Sequence, residues 1–337
     1  MSAGGGAGSS APGPFGASGS TGALGSLRPL LPGSGGNAGS GLEGNAGGGP
    51  IVPDPLDPVD PVVEPPLPNL AALVWSVGAE GTGPGFFDDA RFLGSDTQGI
   101  IYVGEFEGEG PTRIQRFDAD GRFLSQWFTP GDAIVTGLVA TRQGTVFLLQ
   151  GGTISRYTGA SGAFQGDVAM PAGSASAEVI ALAPDDGLVA VGPDQIVRFN
   201  PAGAVFSDVE GTVDAVLDNS FFLSGGTLDG DGNLYLFETF IPALYKFDPD
   251  GVFVDRIGTE GDGIGLLESE PESVAVDGRG RIFYVDFDGI EVLSPTGASL
   301  GLLSSSGSAF GMRVTDQNEL IVLDRNEARL IKYALVP

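Results

Sequence analysis

The 337-residue chain contains no histidine and no cysteine. Without imidazole there is no Ser-His-Asp catalysis, no histidine general base and no common zinc site. Without thiols there are no disulfides, thiolate nucleophiles or iron–sulfur clusters. Lysine is nearly missing as well, with Lys246 and Lys332 its two occurrences. Sixteen basic residues stand against 43 acidic ones, a net charge of −27. Following a phosphate backbone requires clustered Lys and Arg, so nucleic acid and anionic lipid are poor partners. No apolar run approaches the roughly 20 residues of a membrane-spanning helix. Chemistry is left to carboxylates, hydroxyls, arginine or a hard metal.

What is present divides the chain. Residues 1–50 are rich in Gly, Ser and Ala, with Arg28 and Glu43 as their charges, and residues 51–69 form an acidic, Pro-rich spacer. Such stretches bury too little apolar surface to offset the entropy of ordering. The expectation is a disordered tail, a flexible coil in its first part and stiffer in its second. This tail resembles the tether that follows the lipidated cysteine of exported bacterial lipoproteins. That resemblance implies an extracellular or cell-surface address, with the signal and the lipid anchor not present in this chain.

From residue 70 to 337 short β-rich runs dominate, separated by Gly, Asp and Pro. A turn followed by an apolar run recurs six times: IIYV after Gly99, TVFLL after Gly144, LVAV after Gly187, NLYLF after Gly232, RIFYV after Gly280 and ELIVL after Asn318. Their spacing of 38 to 48 residues is that of a four-stranded propeller blade. A second signature follows: an apolar residue, any residue, a basic one and an aromatic one. It places Arg116, Arg156, Arg198, Lys246 and Lys332 at one position and Phe117, Tyr157, Phe199, Phe247 and Tyr333 at the next. Alternation along a strand sends the two groups to opposite faces. Aromatics are expected between blades, with the aliphatic stems of Lys and Arg covering their neighbours and the charged heads pairing with acids.

The segment from Gly78 repeats at Gly258, four blade lengths later, which makes the run 73–77 an outermost strand with no earlier blade before it. Residues 73–77 are therefore expected to complete the last blade and close the ring. The fold expectation is all-β: a six-bladed propeller of four-stranded blades over 70–337. The segment from Gly78 to Trp127, with its Gly-rich opening, its strand ending in YV and its RIQRF-DADGRF, resembles the NHL repeat.

Six residues beyond each of those turn residues the chain carries Glu105, Gln150, Pro193, Glu238, Asp286 and Asp324, with Asp194 beside the proline. Equivalent blades would set these on one binding face: Glu105, Gln150, Asp194, Glu238, Asp286 and Asp324. Clustered carboxylates favour a hard cation with oxygen ligands, so Glu105, Glu238, Asp286 and Asp324 are the candidate ligands and calcium the candidate ion. The same residues would otherwise cap their own turns. The run DGDGN from Asp229 has the opening of an EF-hand loop, but its twelfth residue is Phe240, and a tight β-turn fits better.

Six-bladed lyases that are similar in architecture depend on histidines, which this chain lacks. The gluconolactonase-like family holds its metal with Glu, Asn and Asp. Three readings follow. One is a non-enzymatic binding module meeting a protein or glycan partner. Another is a metal-dependent gluconolactonase-like hydrolase or lyase using Glu105, Glu238 and Asp286 as ligands or bases. The last is a structural subunit of a surface assembly.

Overall fold

The computed structural model describes residues 70–106, 110–217, 223–261, 266–267, 271–286, 289–303 and 309–336. The tail read from residues 1–69 lies outside them. Every regular element among the described residues is a strand. Strand β1 (Ala71–Val77) comes first. The first blade follows as β2 (Ala90–Ser95), β3 (Ile101–Glu105), β4 (Arg113–Phe117) and β5 (Phe123–Phe128). The second is β6 (Val135–Ala140), β7 (Thr145–Gln150), β8 (Thr153–Thr158) and β9 (Ala163–Asp167). The third is β10 (Val179–Leu182), β11 (Leu188–Gly192), β12 (Gln195–Phe199) and β13 (Val205–Glu210). The fourth is β14 (Leu223–Leu228), β15 (Leu234–Glu238), β16 (Leu244–Phe247) and β17 (Phe253–Ile257). The fifth is β18 (Val274–Val276), β19 (Ile282–Asp286), β20 (Gly289–Leu293) and β21 (Ser299–Leu303). The sixth has β22 (Ala309–Val314), β23 (Glu319–Asp324) and β24 (Arg329–Leu335).

Each blade is an antiparallel meander, and β1 supplies the fourth strand of the sixth by pairing with β24. The closing strand expected at 73–77 begins two residues earlier, at Ala71, which pairs with Leu335. The first strands of neighbouring blades lie side by side around the ring, and β22 returns to β2. This is a six-bladed propeller of four-stranded blades.

The second and third strands carry the longest apolar runs because both of their faces are covered. β11, β12, β15, β19 and β20 are buried at every position. The outermost strands have solvent at their free edge, and β13 alternates between exposed and half-buried. One apolar layer separates each pair of neighbouring blades. Phe87, Phe117 and Val103 of the first meet Ile321, Leu323 and Leu330 of the sixth. Trp127 of the first stacks on Tyr157 of the second, ring centroids 5.3 Å apart. A fully buried side chain of this size stabilises by about 1.5–3 kcal/mol through burial, so the aromatic position of the repeat holds the blades together.

The basic position works differently. Arg116, Arg156, Arg198, Lys246 and Lys332 pair with equivalent residues of the second strands. Several reach the turns of the next blade. Arg116 donates to Ala160 O, Arg198 to Gly232 O and Asp248 O, and Lys332 to Ala119 O. Lys246 stays in its own blade beside Asp229, at 3.8 Å, and Arg156 is exposed.

Candidate ligand channel

The end of each second strand is where the sequence places its acids. Three of them, and Gln150 at the same position, pair opposite the start of the innermost strand: Glu105 with Ala90, Gln150 with Val135, Glu238 with Leu223 and Asp324 with Ala309. With Asp286 they are buried, whereas Asp194 is exposed in the β11–β12 turn. The expected face of displayed acids is therefore mostly interior, because the first strand and its preceding loop fold over these positions. Glu105 takes a two-point ion pair from Arg113, with Nε–Oε2 at 2.8 Å and Nη2–Oε1 at 2.5 Å. Arg113 also donates to Thr82 O, Gly83 O and Phe86 O, clamping the Gly-rich loop between blades. Tyr245 donates its hydroxyl to Glu238 at 2.9 Å, and Tyr157 donates to Gln150 at 2.8 Å. Asp324 accepts the backbone N–H of Glu327. The four candidate ligands do not converge: among the described residues no group of three or more acids is placed to hold a metal ion.

Asp229 serves its turn, as the β-turn reading expects. One of its oxygens accepts the N–H groups of Asp231 and Asn233 at 3.0 and 2.9 Å, and the other accepts from Asn233 Nδ2 and Tyr235 Oη. Asp96 and Asp277 cap their turns in the same way.

The first strands enclose a central cavity of about 600 Å³. In four blades the register slips by one residue just after the strand begins, so a single residue bulges from the ladder: Arg91, Thr136, Ser224 and Phe310. A bulge re-aims the side chain it extrudes. Glu178 and Glu272 hold the equivalent place in the third and fifth blades, and all six line the cavity. One side of this mouth is cationic and aromatic. Arg91 and Arg325 share Asp89, at 2.7 and 2.8 Å, and flank the Phe310 ring, while Arg91 also covers Phe106 at 4.1 Å. Burial acts against ionisation of Asp89, but the hydrogen bonds and charges of the two arginines outweigh it and hold its carboxyl below the ordinary value. On the other side, burial raises Glu178, and its covered Oε2 finds no hydrogen-bond partner among the described residues.

The opposite end carries the turns that lead into the second strands. There Arg142 of the second blade bridges to Asp316 of the sixth at 3.2 Å and donates to Pro184 O of the third. Its backbone N–H binds Asp186 Oδ1 at 3.0 Å. Arg313 projects into the cavity above this bar, its Nε 2.9 Å from Ser95 Oγ.

Sequence reasoning missed this lining because a bulge is a backbone event. A signal was present nonetheless: Gly137, Gly225 and Gly311 each follow a bulged residue, and isolated glycine inside a strand marks a bulge or close approach. A Cβ at Gly225 would lie 2.3 Å from the Phe237 ring.

No family model matches the sequence, and no curated protein matches it either. Solved structures do match in fold. A protein of unknown function from Bacteroides thetaiotaomicron superposes with a TM-score of 0.59 at 16% identity, over 79% of this chain and 76% of its own. A gluconolactonase from Xanthomonas campestris gives 0.54 at 18%, over 79% and 99%. A streptogramin B lyase gives 0.53 at 15%, over 78% and 88%. At these identities the likeness is one of fold: the chain is a propeller built like theirs.

Proposed function

We propose that this propeller is a non-enzymatic binding module, displayed at the outer cell surface on residues 1–69, that takes its protein or glycan partner at the bulged end of the channel. One observation carries the reading. Core, turn and basic positions recur from blade to blade, but the mouth position is different in almost every blade: Arg91, Thr136, Glu178, Ser224, Glu272 and Phe310. A scaffold needs repetition; selectivity needs a set of unlike groups held on rigid strands. The shared fold of a gluconolactonase and a lyase supports a catalytic alternative at the level of architecture alone.

The test is a peptide and glycan array probed with the whole chain and with Phe310→Ala and Glu178→Gln, alongside Phe206→Ser on an exposed outer strand. Saturable binding lost in the two mouth variants and kept in the outer one is expected. Binding indifferent to the mouth variants sinks the reading. Hydrolysis of lactones or esters abolished by Glu178→Gln or Glu272→Gln would replace binding by catalysis at the same mouth.

A further inference from the structure

Arg313 stands apart from the other enclosed basic side chains. Arg113 is matched by Glu105, Arg281 by Asp277 and Lys332 by Glu319. Arg198 is held by two carbonyls. Among the described residues Arg313 has one hydrogen bond, to Ser95, and no carboxylate within ion-pair distance. Its nearest acids are otherwise engaged, Asp316 with the Arg142 guanidinium and Asp186 with the Arg142 backbone. Burial lowers its pKa, the fields of Asp316 and Asp186 counter that, and Arg142 adds to it. Arg313 lines the channel, and its guanidinium is a planar fork with Nε engaged by Ser95. That fork suits the two oxygens of a carboxylate.

The same cavity holds a group of opposite sign with the same deficit. Glu178 has a covered oxygen with no partner among the described residues, and an adjacent cation would relieve the cost of its charge. The two do not satisfy each other, because they sit at different depths. Arg313 pairs with Ile321 and Ala181 with Val189, which are equivalent positions, so Arg313 lies at the level of Ala181, three residues along the strand from Glu178. At the rise of a β-strand this is on the order of 10 Å.

Further charges set the class of ligand. Asp96, Glu178, Asp186, Asp229, Glu272, Asp277 and Asp316 line the channel against Arg91, Arg142 and Arg313. An acidic lining penalises a dianion such as phosphate more than a single carboxylate, and it rewards an ammonium group. A free α-amino acid is too short to meet both groups. An extended chain of about three residues spans the distance, at roughly 3.3–3.6 Å each.

We infer that the channel binds a short zwitterionic peptide of about three residues, its C-terminal carboxylate on the Arg313 fork and its N-terminal ammonium beside Glu178. The inference rests on the channel being the binding site, and it fixes what the site selects.

Triglycine, glycine, N-acetyl-triglycine and triglycine amide serve as probes. The readout is the Arg313 Nε–H resonance, assigned by its loss in Arg313→Gln, with sodium chloride at matched ionic strength and inorganic phosphate as controls. Triglycine should move it saturably, and blocking either terminus should weaken binding at least tenfold. In calorimetry Arg313→Gln should bind triglycine and its amide alike, and Glu178→Gln should no longer distinguish the acetylated peptide. Equal binding of free and blocked peptides would leave the channel as a site but overturn this ligand class, as would tighter binding of glycine or phosphate. A resonance that stays still, or drifts linearly as in chloride, overturns the inference outright. Stability is a second check: Arg313→Met should melt close to the parent chain, since among the described residues the side chain gives up one hydrogen bond, to Ser95, and no ion pair. A large loss of stability would make Arg313 structural.

Discussion

Glu105 illustrates how one residue's neighbours decide its work. A buried carboxylate in a face of acids invites a cation, but Arg113 occupies both of its oxygens and carries the pair into the loop between blades. Breaking a buried pair leaves a charge with no partner, at a cost of about 3–5 kcal/mol. Glu105→Ala should lose stability of that order in urea denaturation. Arg113→Lys, which keeps the charge but not the fork, should lose part of it. A loss below about 1 kcal/mol for Glu105→Ala would place the pair with ordinary surface ion pairs. The carboxylate position was legible in the sequence as a repeat. Its partner was not, because arginine stands at the position of Arg113 in one other blade, as Arg329, and the remaining blades carry Thr153, Gln195, Ala243 and Gly289 there.

At the scale of the strand, the blades were legible for the opposite reason. Turn, apolar run and basic–aromatic pair recur wherever a second and third strand must be covered on both faces, so the pattern of one blade confirms the next. The first strands hid their function. In LSGGTL and AFGMRV (β14 and β22) glycine and the bulge interrupt the alternation that reveals a strand, and those irregularities point side chains into the channel. The closing strand was legible from a chain-wide symmetry, the match of Gly78 with Gly258. It gives a direct expectation. A chain begun at Leu70 should melt like the parent, whereas one begun at Ala79 leaves the edge of β24 unpaired and should melt lower and self-associate. Equal melting temperatures in the two would refute β1 as the closure.

Across the whole molecule, the ring shares its stability among six interblade layers, and tyrosines sit in several of them. Burial, then the charge of Asp96, pushes the Tyr102 hydroxyl up to about 12. Burial raises Tyr157, Tyr235 and Tyr333 as well. A phenol raised in the folded state gives stability that is complete below its unfolded value, about 10, and lost as pH rises through the folded value. Phenolate absorbance should therefore be largely absent at about pH 10. It should then appear together with loss of β-structure between that pH and about 12, the value of Tyr102. Smooth ionisation near the ordinary tyrosine value, with the fold intact, would contradict this placement.

The pairing of β1 with β24 has a mechanical side. Ala71 pairs with Leu335, and Val77 with Leu330, so both chain ends leave from the same end of this two-strand seam. Tension drawn between the residues before Leu70 and the C-terminus does not slide the strands along each other. It pulls them apart like a zip, loading one pair of hydrogen bonds at a time, beginning at Val336 N–H to Leu70 O. The seam that completes the ring is thus also its weakest line under load. A propeller pulled between these two ends will open there first, one pair of bonds after another.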